Sequence, residues 1–162
     1  AALRSLWQPW AVLESDGRGY AYLAGAAAEV EQQAASLGGT VREGHCWPDP
    51  LRSPVVAAVR VPSPQTRAAV RLLPDVTAYR AAFGVGEVLA GFEKADVGRL
   101  HALRTWAEEA GGSLVLVAAP EDLYAEFDPW GSAPPSLALQ RSVNAAFDPA
   151  GVMVPGRLPG CL

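Results

Sequence analysis

The stretch "ADVGRLHALRTWAEEAGGSLVLVAA" (residues 95–119) contains the clearest helical pattern of the chain, followed at once by an apolar segment. Five apolar residues of its first part fall near one face of a helix: Val97, Leu100, Leu103, Trp106 and Ala110. Asp96 can cap this helix, and Gly111-Gly112 can end it. The residues SLVLVAA that follow are rich in Val and Leu and indicate a buried strand. We therefore expect a helix that leads directly into a strand, with Trp106 in the core.

The order strand, helix, strand recurs twice on the N-terminal side of this stretch. "PVVAAVRV" (54–61) and "DVTAYRAAFG" (75–84) indicate strands on either side of a helix that Pro74 ends. "GYAYLAG" (19–25) and "TVREGHCW" (40–47) indicate strands on either side of a helix rich in Ala, Glu and Gln. "GEVLAGFE" (86–93) supplies the strand before the helix described first.

Three such units joined by short links favour an α+β class. We expect a ferredoxin-like plan, with a mostly antiparallel sheet and helices packed on one face. The chain has 162 residues and half of them are hydrophobic, so residues 1–162 are sufficient for a single domain with its own core. A last helix in "SLALQRSVNAAF" (136–147) is expected to turn Leu139, Val143 and Phe147 inward.

Composition excludes several classes of protein. The net charge is −4 and the 13 basic residues are scattered, whereas nucleic-acid binding needs a clustered positive surface. No apolar run approaches the roughly 18 residues of a membrane span. The two cysteines, Cys46 and Cys161, lie outside any CxxC motif; one bridge between them is an alternative to the two reduced thiols that we expect in a cytoplasmic protein.

Few residues have the pattern of a catalytic or metal site. His45 and Cys46 are adjacent, but neighbours on a strand point to opposite faces, which favours a structural interpretation. His101 falls in the polar register of its helix. "GVGEV" (84–88) lacks both the third glycine and the following helix of a dinucleotide site, and indicates a hairpin. A self-contained hydrolase is disfavoured, because no nucleophile–base pair is visible.

Two loops near the C terminus also bear on function. "FDPWG" (127–131) is either an aromatic loop that faces a substrate or a turn in which Trp130 covers the core, and its residue types favour the turn. "NAAFDPAGVMVPGRLPG" (144–160) joins the last helix to a segment rich in proline and glycine, whose path these residues restrict.

The C-terminal motif "RSVNAAFDPAGVMVPGR" (141–157) resembles the C-terminal signature of the FAD-linked oxidases related to vanillyl-alcohol oxidase. "LRTWAEEAGGSLVLVAAPEDL" (103–123) and "FDPWG" are in turn similar to the final third of the FAD-binding (E) subunit of bacterial glycolate oxidase. The resemblance extends from about Gly98 to Arg157. Before that point, only the order of the segments agrees.

This resemblance implies a fragment of an FAD-dependent 2-hydroxy-acid oxidoreductase that is not active alone. The chain would be the cap domain, which covers the flavin and shapes the substrate side, and the N-terminal FAD-binding domain would be absent from it, as the missing initiator Met also suggests. The family's partners are a second flavin subunit and an iron–sulfur subunit. Catalytic residues are not assignable, and no metal ligand is implied.

The resemblance places the cofactor-binding residues at Pro155, Gly156 and Arg157. Asp148 also matches the signature and is expected to cap the helix or form an Asx-turn. Two positions depart from it, since Asn144 stands where the family has Lys and Val154 where it has Asn. Val lacks the donors and the acceptor that Asn would offer to a cofactor. The alternative function is therefore a ferredoxin-like module that holds partner subunits without flavin chemistry of its own.

Overall fold

The computed structural model describes residues 6–7, 9–44, 47–73, 75–153 and 159. Within them the strands are β1 (Ala11–Ser15), β2 (Arg18–Tyr22), β3 (Val55–Arg60), β4 (Ala78–Ala82), β5 (Glu87–Phe92) and β6 (Ser113–Ala118). The helices are α1 (Ala27–Leu37), α2 (Thr66–Leu72), α3 (Val97–Glu109), α4 (Glu121–Glu126) and α5 (Leu137–Phe147). A 3₁₀ turn, Ser63–Gln65, leads into α2.

The six strands form one antiparallel sheet in the order β2-β1-β4-β5-β3-β6. Strand β5 lies between β3 and β4, which α2 connects, and β3 lies between β5 and β6, which α3 connects. Two interleaved strand–helix–strand units of this kind are the ferredoxin-like plan. The predicted α+β class is therefore confirmed.

The core lies between one face of this sheet and helices α2, α3 and α4. It contains Val59 and Val88 from the sheet, Ala69 from α2, Leu100 from α3 and, after α4, Phe127. Trp106, predicted to be a core residue, packs against this cluster but remains partly exposed. The apolar face of α3 thus points toward the sheet, as its periodicity predicts.

Helix α3 begins at a capping aspartate, and its connection to β6 requires glycine. The Asp96 carboxylate caps α3 by accepting a hydrogen bond of 2.8 Å from the Arg99 backbone N–H. At the other end, a Cβ atom on Gly112 would lie 2.0 Å from the Arg60 carbonyl oxygen. Strand β6, predicted to be buried, is an edge strand that buries Leu114 and Leu116 and leaves Val117 exposed.

The N-terminal third differs from the prediction. Residues 40–44 and 47 form no strand, because β1 already pairs with the edge of β4 that such a strand would occupy. Strand β1 forms a hairpin with β2 through Asp16 and Gly17, both at positive φ (48° and 78°). Asp-Gly is a favoured pair for this turn type, and it is the sequence signal that reveals the hairpin.

The segment after α1 instead crosses the sheet on the face opposite α2 and α3. Ala81 points into the core, so its neighbour Arg80 points to the opposite face of the sheet. The Arg80 guanidinium donates a hydrogen bond of 2.9 Å to the Pro48 carbonyl. The Trp47 and Tyr22 rings lie 4.9 Å apart. Among the helices of the described ranges, none has the length and apolar character needed to cross a membrane.

Candidate functional site at the C-terminal helix

Helix α5 turns its apolar face to solvent. Leu139, Val143 and Phe147 are 66%, 49% and 81% exposed, respectively. They share one face of the helix, since they are spaced four residues apart. The prediction that these three side chains point inward is therefore wrong.

The residues of α5 that are partly buried lie on an adjoining face of the helix. They are Leu137, Gln140 and Asn144, so the partly buried side of α5 is mostly polar. Helices α2, α3 and α4 pack on the core side of the sheet, and α5 contributes no residue to the core between them. Exposed apolar surface of this kind marks interaction sites in soluble proteins.

Asp148 fixes the chain immediately after α5. Asp148 is only 7% exposed. Its carboxylate accepts hydrogen bonds from the backbone N–H groups of Val152 (2.9 Å) and Met153 (2.8 Å). These bonds hold the pKa of Asp148 below its ordinary value of 3.8, and the bond from Met153 has the largest influence. Asp148 occupies the C-cap position of α5, as predicted, but it forms no Asx-turn, because its carboxylate accepts from residues four and five positions further on.

The Asp148 turn leaves Val152 and Met153 with exposed side chains. Gly151 adopts a φ of 63° within this turn, a conformation that favours glycine. Together with Leu139, Val143 and Phe147, these two residues form a run of five exposed apolar side chains, here called the C-terminal stripe. The stripe is thus built by a helix and by a turn that one carboxylate organises.

We expect Asp148→Ala to release this turn. Amide hydrogen exchange at Val152 and Met153 should become faster by roughly tenfold, because each amide loses a charged acceptor. Since the pKa of Asp148 is lowered, the stabilisation is present above pH 3.8 and is lost as the pH falls through the folded-state value. In the wild type, the protection of the same two amides from exchange should therefore be lost as the pH falls below 3.8. Unchanged exchange in Asp148→Ala, with Ser142→Ala as control, would contradict this role.

The cofactor-binding residues that the resemblance implies, Pro155, Gly156 and Arg157, lie outside the described residues, as does Val154. Asn144, the other departure from the signature, lies on the inner side of α5, and its carbonyl accepts a hydrogen bond of 2.7 Å from the Asp148 N–H. Asn144 is thus partly buried, whereas the residues of the C-terminal stripe are exposed.

The FDPWG segment forms the predicted turn. The Asp128 carboxylate accepts a hydrogen bond of 2.9 Å from the Trp130 N–H, and Trp130 is half-buried. Phe127 is 1% exposed, and the Arg104 guanidinium lies 3.8 Å above its ring. Burial lowers the pKa of Arg104, against the opposing influence of Asp128 and Glu108.

Arg104 is a buried cation that the helical periodicity did not reveal. It donates a hydrogen bond to the Asp128 carbonyl and thereby ties α3 to the FDPWG turn. The His101 ring also contacts Phe127, at 4.8 Å between ring centroids. These contacts lie at the margin of the packed core. They support a structural role for His101 and for this loop.

The remaining candidates from the sequence are a histidine, two cysteines and one glycine-rich loop. His45 and Cys46 lie outside the described part of the chain, as does Cys161. GVGEV forms the predicted hairpin between β4 and β5, where a Cβ atom on Gly86 would lie 1.9 Å from the Val61 carbonyl oxygen. No group of His, Cys, Asp and Glu residues suited to a metal ion occurs among the described residues.

No protein-family model, no curated protein and no solved structure matches this chain.

Proposed function

We propose that this chain is the C-terminal cap domain of an FAD-dependent 2-hydroxy-acid oxidase or dehydrogenase, similar to the E subunit of glycolate oxidase. The observation that supports it is the C-terminal stripe. A helix that turns Leu139, Val143 and Phe147 outward is suited to being covered by another domain. The stripe leads directly into residues 155–157, which the resemblance places beside the cofactor.

In this proposal the chain covers the flavin rather than holding it. Recognition of a pyrophosphate needs a glycine-rich loop that opens a helix. In the described ranges the glycine-rich GVGEV instead joins strands β4 and β5, so these residues do not fit the pyrophosphate of FAD. An FAD-binding domain of the same full-length protein would bind the dinucleotide, and its isoalloxazine would supply the redox chemistry.

The contribution of this chain would be to dock, to exclude water and to shape the substrate side. Burial of each large apolar side chain of the stripe contributes about 1.5–3 kcal/mol. The Asp148 turn holds Val152 and Met153 in place before docking, which lowers the entropy lost on association. By the same resemblance the assembled protein would include a second flavin subunit and an iron–sulfur subunit. A cytoplasmic location is proposed from the two cysteines, which we expect to be reduced thiols.

A second candidate function rests on the same stripe. In a ferredoxin-like module that only holds partner subunits, the stripe would be covered by a partner that carries no flavin. The exposed Val117 side chain of β6 offers such a module a further contact. The flavin content of the full-length protein discriminates between the two functions.

The test compares the full-length protein that contains this sequence with the isolated chain. We expect the full-length protein to retain FAD and to lose its visible flavin absorbance when glycolate is added without oxygen. The isolated chain should be colourless and should not quench flavin fluorescence. Arg157→Ala should lower the flavin content or turnover of the full-length protein while the melting temperature of the isolated chain barely changes.

Two results would contradict the proposed function. Stoichiometric FAD on the isolated chain would show that this domain holds the cofactor by itself. A full-length protein that binds its partners but contains no flavin would favour the binding module.

A further inference from the structure

A cleft of about 630 Å³ lies on the sheet face opposite α2 and α3, under the segment that follows α1. Two aromatic side chains and four charged ones line it: Tyr20, Trp47, Arg42, Arg52, Asp16 and Asp49. Its volume is that of a small-molecule site, for which roughly 300–1,000 Å³ is usual. The cleft lies apart from the C-terminal stripe in sequence and shares no residue with it.

The walls of this cleft are fixed by contacts with the sheet. Arg80 donates hydrogen bonds to the Pro48 and Asp49 carbonyls and so holds one wall over β4. The Trp47 ring packs against Tyr22 of β2. On the other side, the Asp16 carboxylate accepts a hydrogen bond of 2.8 Å from the Tyr79 N–H. These contacts hold Trp47, Asp49 and Asp16 in place, whereas the exposed side chains of Arg42 and Arg52 would become ordered when a ligand binds.

The charges in the cleft are balanced. Two guanidiniums and two carboxylates line it, so its lining has a formal charge of zero. The ion pairs found among the described residues join Arg60 to Glu87 and Arg99 to Asp75. Arg42 and Arg52 are exposed and belong to neither pair. A guanidinium favours a carboxylate in a bidentate arrangement.

We propose that this cleft binds a small zwitterion with a flat apolar body, of the class of an aromatic α-amino acid. The carboxylate of such a ligand would pair with Arg42 or Arg52, and its ammonium group with Asp49 or Asp16. A simple anion would also meet the two acids, and a simple cation the two guanidiniums, so only a ligand with both charges complements the lining. Tyr20 and Trp47 would contact the ring and the ammonium group. The proposal requires no flavin and is independent of the proposed function.

Calorimetric titration of the isolated chain with three matched compounds tests this proposal. L-phenylalanine carries both charges, 3-phenylpropionate only the carboxylate, and phenethylamine only the ammonium group. We expect phenylalanine to bind at least about tenfold more tightly than either of the others. Arg52→Ala should weaken phenylalanine by about tenfold and leave phenethylamine unaffected, and Asp49→Asn should weaken it while leaving 3-phenylpropionate unaffected.

The control is Arg71→Ala, which removes an exposed guanidinium of α2 on the other face of the sheet. It should change none of the affinities, and circular dichroism should show that all variants are folded. Failure of phenylalanine to bind the folded wild-type chain would overturn the proposal. Equal binding of 3-phenylpropionate and phenylalanine would also overturn it, since the cleft would then be an anion site. Equal loss in Arg71→Ala and Arg52→Ala would do the same.

Discussion

Replacement of Phe127 by Ala is expected to lower the free energy of unfolding by about 3–5 kcal/mol. Phe127 is 1% exposed and belongs to the main core cluster. Its ring also covers the buried guanidinium of Arg104, which would lose this contact without gaining another partner. Both effects act in the same direction, so the loss should lie in the upper part of this range.

Phe147→Ala is the matched control for this prediction. The residue type is the same, but Phe147 is 81% exposed on α5. Its removal should change the free energy of unfolding by less than about 0.5 kcal/mol. Urea unfolding of both variants measures the difference. If Phe147→Ala proved as destabilising as Phe127→Ala, α5 would pack with its apolar face inward, as its periodicity alone suggests.

A second large effect is expected from Val143→Asp combined with Phe147→Asp. The two substitutions place carboxylates in the middle and at the end of the C-terminal stripe. If another domain covers the stripe, docking loses apolar burial of about 1.5–3 kcal/mol per side chain and must bury two charges as well. The affinity between the domains should then fall by at least about 100-fold.

The strongest local patterns of the sequence were sufficient to predict most of the fold. The β-branched run of β3 and the capped, periodic helix α3 are local signals that agree with the tertiary structure. The strand expected over residues 40–47 does not form in the described residues 40–44 and 47, because β-pairing is decided between distant segments. Strand β1 pairs with β4 instead, and the Asp16-Gly17 pair is the local sequence signal for its hairpin with β2.

The candidate site shows the same limit. Periodicity identified the apolar face of α5 correctly, but it cannot say whether that face meets the core or solvent. The answer depends on whether apolar surface remains uncovered elsewhere, and here α2, α3 and α4 pack on the core side of the sheet. Asp148 could be predicted because its partners, Val152 and Met153, are only a few residues away. Arg104 could not, because its burial depends on Phe127, which is 23 residues further along the chain.

The most direct measurement is the flavin content of the full-length protein with Val143→Asp and Phe147→Asp, after gel filtration. Ala138→Asp combined with Ala145→Asp is the control, since it adds the same charge at exposed positions of α5 outside the stripe. We expect the stripe variant to lose most of its FAD and its glycolate-dependent reduction, the control to retain both, and the isolated chain to melt at the same temperature in either form. Full flavin content and turnover in the stripe variant would contradict the proposal that this helix docks a cap domain onto an FAD-binding domain.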